Sequence, residues 1–147
     1  MYECPYTSQS SLPDEAVFYR FIPHMMVTWD GESPTAQSRA FGEIGEETAT
    51  RLGYPERATS IAFHDNIIGA GKTVEEAADE ELGSKCGIAK LTVGAVRLIE
   101  PEVGILHDGR HSPWHGILFA VTRVKLGKEK SALVQAIEEY VRLPYRD

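Results

Sequence analysis

Cysteine is scarce in this chain, with Cys4 and Cys86 the only two and far apart. That excludes a disulfide framework, and the pair lacks the close spacing of a structural zinc site. Positive charge is also in short supply: 15 Lys and Arg stand against 22 Asp and Glu, for a net charge of −7. Nucleic-acid and anionic-membrane binding both need a basic footprint, so neither is expected, and any basic pocket would have to be local. No run approaches the ~18 apolar residues that span a bilayer, and MYECPYTSQSS has no basic segment leading into an apolar one. A soluble, cytoplasmic protein is the expectation. No P-loop is present, because GAGKT is too short to be one, and neither a dinucleotide fingerprint nor a Ser-His-Asp ordering is found.

What is present suits a globular α/β (α+β) chain with ordinary apolar and charged fractions. Residues 1–14, holding Pro5 and Pro13, read as an N-terminal arm, extended or poorly ordered, ahead of a single domain over 15–147. Ala16 to Trp29 is rich in aromatic and aliphatic residues and reads as strand, which Pro23 divides into two or forces to an edge. Ser33-Pro34 is an N-cap followed by proline, predicting a helix to about Leu52 with Phe41, Ile44, Thr48 and Leu52 on one face. Strands are predicted over 59–68, 90–100, 102–107 and 115–126, the last central because both faces are apolar in its first half. A final helix over 128–141 presents Leu133, Val134, Ile137 and Val141. The sum is a mixed sheet of about five strands flanked by about three helices.

The chain is organised around GAGKTVEEAADEELGSKCGI, residues 69–88. Thr73 and Glu76 form a capping box that starts a helix over 73–83. Val74, Ala77, Ala78 and Leu82 give it one apolar face, on which Leu82 is the largest side chain and is expected to be buried. Gly83 weakens the helix and Gly87 reads as its left-handed stop. Glu75–Asp79 and Glu76–Glu80 are like-charge pairs one turn apart, a repulsion that a cation would relieve.

DNIIGAGKTVEEAADEELGSKCGI resembles a Nudix box, the strand–loop–helix signature of enzymes that hydrolyse nucleoside diphosphates linked to another group. Glu81, Leu82, Gly87 and Ile88 stand at the family's spacing, and the strands after them extend the resemblance over 59–126. Asn66, Lys72 and Glu80 stand where the family has Gly, Glu and Arg, and Ser84 and Lys85 replace its two magnesium-binding glutamates. The resemblance therefore implies a domain that binds or hydrolyses a nucleotide or phosphorylated metabolite, with the standard metal site partly lost. Glu81, which matches the family's spacing, and its neighbour Glu80 are candidate catalytic residues, and Lys72 is a candidate substrate contact.

HDGRHSPWH is the least generic local feature: His107, His111 and His115 recur every four residues around Asp108, Arg110 and Trp114. Gly109 and Pro113 make it a hairpin loop, in which the three imidazoles are candidate ligands for a transition metal. His111 is also a candidate general base, since its ordinary pKa lies near neutrality. Arg110 and Trp114 are candidate substrate contacts. A divalent metal ion is the one cofactor suggested, a small molecule the expected ligand, and self-association is left open. Residues 23–65 and 115–142 also resemble the β-α-β units of the tautomerase superfamily, which implies a small oligomeric isomerase. That family's base is an N-terminal proline, and Pro23 is an internal amide here. A noncatalytic binding or assembly module is the third reading.

Overall fold

The computed structural model describes residues 4, 6–23, 27–30, 33–36, 38–41, 58–82, 86–110, 112–122 and 126–142. Their fold is α/β, built on one six-stranded sheet and a separate two-stranded ribbon. The strands are β1 (Val17–Pro23), β2 (Val27–Asp30), β3 (Ser33–Ala36), β4 (Ala58–Phe63), β5 (Cys86–Thr92), β6 (Val103–His107), β7 (His115–Ala120) and β8 (Glu139–Arg142). The helices are α1 (His64–Gly69), α2 (Val74–Leu82), α3 (Val93–Arg97) and α4 (Glu129–Gln135), with a 3-10 turn at Ser38–Phe41. The main sheet runs β6-β7-β4-β1-β5-β8, and every pairing is antiparallel. Among the described residues no helix is long and apolar enough to cross a membrane.

Alternation along the strands divides the side chains between two covered faces. One face holds Phe18, Ile22, Ile61, Phe63, Leu91, Ile105 and Leu118 under the 3-10 turn, α3 and α4. The other holds Tyr19, Phe21, Ala62 and Ile88 under α1, α2 and Trp114, and beside them Ile117 and Phe119 under the N-terminal arm. Tyr6 packs on Phe119 with ring centroids 5.1 Å apart, and Gln9 and Ser8 bond to β6 through both main chain and side chain. Residues 6–9 of the arm are therefore docked on the sheet. β7 is buried along its whole length, as its apolar run predicts, and lies one strand in from the β6 edge.

Several predicted elements change type. Pro23 does separate two strands, but Ser33–Ala36 is a strand where a helix start is predicted, with Pro34 opposite Trp29. Asp30-Gly31 is a hairpin signal, and each strand of a two-stranded ribbon keeps one unpaired edge, on which a missing N–H costs no ladder bond. The rest of that predicted helix lies outside the described residues apart from the 3-10 turn. The strand predicted over 59–68 ends at Phe63, and His64–Gly69 is helical. The strand predicted over 90–100 ends at Thr92, whose hydroxyl accepts from the Ala95 N–H and caps α3, with Val93 and Val96 buried one turn apart. The last predicted helix stops at Gln135, and Val141 sits in β8 opposite Ile88.

The capping box forms in both directions: Glu76 N–H reaches Thr73 Oγ1 and Thr73 N–H reaches Glu76 Oε1, each at 3.1 Å. Ala77 and Ala78 are fully buried and Val74 packs beside them. Leu82 is the exception, 43% exposed, because α2 rests on its alanines and its last residue overhangs the sheet. Gly87 is not the helix stop but a β5 residue, where a Cβ would overlap the Tyr140 ring. Lys72 relieves part of the acidic repulsion by pairing with Glu80 at 3.3 Å.

Two substitutions test this packing. Leu82→Ala is expected to change stability by no more than about 0.5 kcal/mol, as for other surface sites. Gly116→Ala places a Cβ against the Phe63 ring and 2.8 Å from the Leu106 carbonyl, and overpacking of this kind costs about 1–3 kcal/mol. Urea melts showing Leu82→Ala to be the more damaging would overturn this docking of α2.

Candidate functional site

The polar groups of interest gather where the β1–β4 ladder ends. Only Phe18↔Phe63 and Tyr19↔Ala62 pair across these two strands, although both strands continue. Past that point Arg20 takes over from the ladder. Its Nη1 donates to the Ser60 carbonyl at 2.9 Å and its Nε to the Ala40 carbonyl at 2.7 Å. Burial lowers the guanidinium pKa to about 10, while the charge of Glu81 works to raise it, so Arg20 remains a cation at neutral pH. Among the described residues Nη2 has no partner.

Glu81, at the end of α2, accepts from Trp114 Nε1 at 3.4 Å. Glu81 is exposed at the end of α2, but the groups packed around its carboxyl partly desolvate it and raise its pKa. The Trp114 hydrogen bond and the Arg20 charge hold part of that rise back. Trp114 is 6% exposed and packs among Ala62, Ala77 and Ala78, so it positions Glu81 and has no free ring face to offer a ligand. On the same side of the sheet Ser60 Oγ lies 2.7 Å from His115 Nε2, and His115 Nδ1 lies 3.2 Å from the Asp108 carbonyl. Ser60, His115, Trp114 and Glu81 thus share one side of the sheet, while Arg20, in step with Phe18 and Ile22, reaches the Ser60 carbonyl from the other.

The remaining predicted residues are elsewhere. His107 and His115 cannot share a metal, because His107 pairs with Gly116, the residue after His115. Side chains alternate along a strand, so the two imidazoles occupy opposite faces. His107 meets the Phe63 ring edge at 5.6 Å and bonds the Pro113 carbonyl at 2.7 Å through Nε2. His111 lies outside the described residues. Arg110 forks onto Asp108 through Nε and Nη2. Burial raises the Asp108 pKa, but the Arg110 hydrogen bonds and charge outweigh it and leave the carboxyl below its ordinary value. Glu80 is occupied by Lys72. Among the described residues no group of three or more His, Cys, Asp or Glu is placed to hold a metal ion, so the described donors do not fit the magnesium site that the Nudix resemblance implies.

A second cluster lies on the other flank of α2. Tyr19 OH and His64 Nδ1 are hydrogen-bonded at 2.8 Å. They adjoin a pocket of about 190 Å³ lined by Tyr19, Val74, Glu75, Ile88, Lys90 and Glu139. Burial, then Glu139 and Glu75, raises the Tyr19 pKa. Sequence reasoning missed Tyr19, Arg20, Ser60 and His64. The one available signal was Arg20 itself, a charge within the apolar run VFYRFI.

The Glu81 assignment has a pH signature. A carboxyl whose pKa is raised by folding contributes stability that is present below the ordinary carboxylate range and is lost as pH rises through the raised value. Glu81→Gln removes that loss and keeps an acceptor for Trp114. The variant is expected to melt above the wild type at about pH 7 and level with it at about pH 3.5, where the wild-type carboxyl is largely protonated. A shift of equal size at both pH values would refute the assignment.

No known family model, curated protein or solved structure matches the chain.

Proposed function

We propose that this chain binds and hydrolyses a phosphorylated, nucleotide-like small molecule at the open end of the β1–β4 ladder. The observation that carries the reading is Glu81, a carboxyl with a raised pKa, whose charge acts on the Arg20 guanidinium without a direct bond to it. Such a pair supplies the two things that phosphate chemistry asks of a protein. A planar guanidinium recognises phosphate oxygens through parallel N–H donors. A carboxyl shifted toward neutrality exchanges a proton with attacking water or with a leaving group.

Each residue then has a role. Arg20 holds the phosphoryl oxygens, and the Ser60 and Ala40 carbonyls fix the plane of its guanidinium. Glu81 acts as the general base, and Trp114 orients it. Because the described carboxylates do not form a metal site, no step is assigned to a metal. The strand–loop–helix order of the resemblance is here strand–helix–turn–helix, with Gly71 at φ +76° in the turn between α1 and α2.

A panel of nucleoside diphosphate derivatives and sugar phosphates, with and without magnesium or manganese, tests the reading. A ligand that binds the folded state raises its melting temperature by linkage. The expected result is a ligand-dependent shift together with release of phosphate or of a nucleoside monophosphate. Glu81→Gln is expected to lower turnover by about 10²–10⁴-fold, the span of general acid–base contributions, while retaining the thermal shift. A panel with neither shift nor turnover would remove the proposal.

A further inference from the structure

The hydrogen bond between Ser60 and His115 has a definite direction. The Asp108 carbonyl can only accept, so His115 Nδ1 carries the proton that spans their 3.2 Å. In the neutral imidazole Nε2 is then a bare lone pair, and Ser60 Oγ–H donates to it across 2.7 Å. This is the polarity that prepares a serine for attack: a base on the hydroxyl, and a third group fixing the base's tautomer.

Both partners are held by main-chain bonds on either side. Ser60 pairs with Ile117 of β7, and its carbonyl also takes Arg20 Nη1 at 2.9 Å. Ala62 pairs with His115, so the strand register places Ser60 and His115 diagonally on one face. The His115 N–H donates to the Ser112 carbonyl at 3.1 Å, and its own carbonyl accepts from the Asp108 N–H at 2.8 Å. His115 is only 6% exposed and Ser60 is half-buried, so the imidazole is shielded from water. The Asp108 carboxylate, held by Arg110, interacts favourably with a positive His115. An imidazolium formed in a reaction therefore has a negative charge beside it.

We infer that Ser60 is a nucleophile activated by His115, and that it accepts the acyl group of a carboxylic ester. As the Oγ–carbon bond forms, the hydroxyl proton passes to His115 Nε2. The tetrahedral centre then collapses, its bond to the ester oxygen breaks, and Nε2–H delivers the proton to the departing alcohol. Water repeats the sequence on the acyl-serine, releasing the acid and restoring Ser60. The inference stands on the dyad alone and does not depend on phosphate binding by Arg20 and Glu81.

The test uses the folded full-length chain with two probes, a fluorophosphonate and a p-nitrophenyl acetate ester. A fluorophosphonate adds to an activated serine with loss of fluoride. Intact-mass measurement should show one adduct, peptide mapping should place it on Ser60, and Ser60→Ala should lose it. The acetate ester should give a burst of one equivalent of nitrophenolate and a matching acetyl group on Ser60. His115→Gln should slow both reactions by about 10²–10⁴-fold. The wild-type protein in denaturing urea should not react, which separates an activated hydroxyl from a merely exposed one even where a variant folds poorly. No adduct on Ser60 of the folded wild type, or an adduct that also forms in urea, would overturn the inference.

Discussion

The antiparallel register of β1, β4 and β7 decides which side chains of this protein can meet. Tyr19 stands opposite Ala62 and Ala62 opposite His115, while Lys90 and then Glu139 extend the row through β5 and β8. Because side chains alternate with period two, a slip of one residue in any of these strands would send its whole set to the other face. The same rule that brings His115 to Ser60 carries His107 away from it.

The sheet is covered on both faces, which makes the end of the β1–β4 ladder costly to leave open. A strand carbonyl without a partner inside a protein forfeits a hydrogen bond and its solvation. Arg20 resolves this by donating to Ser60 from β1 and to Ala40 from the 3-10 turn, placing a cation at the centre of the fold. A desolvated cation needs negative potential, and Glu81 supplies it at the end of α2. The two charges are thus structural and chemical at once. Arg20 closes a gap in the hydrogen bonding, and the Glu81 charge acts on it from the end of α2.

Close packing accounts for the small residues around the site. Ala62, Ala77 and Ala78 let α2 lie low on the sheet, which presses the Trp114 indole between them and aims its N–H at Glu81. Gly116 admits the Phe63 ring, and Gly104 admits the Phe119 ring. Phe119 in turn supports Tyr6, so the N-terminal arm is docked through an aromatic contact across β7.

The sequence by itself determined the local devices. Thr73 and Glu76 specify a reciprocal cap because both partners lie within four residues. Pro23 divides a strand because it has no N–H, and the apolar run at 115–120 demands burial on both faces. Glu81 and Trp114 were legible as separate candidates, but not as partners thirty-three positions apart. Only the tertiary structure decided where the helices at 64–69 and 93–97 replace predicted strands, since short apolar runs fit either geometry until a neighbouring surface selects one. It alone paired Ser60 with His115, set the charge of Glu81 to act on Arg20 and separated His107 from His115. Those relations depend on strand register, a property of two segments together that no spacing within one segment contains.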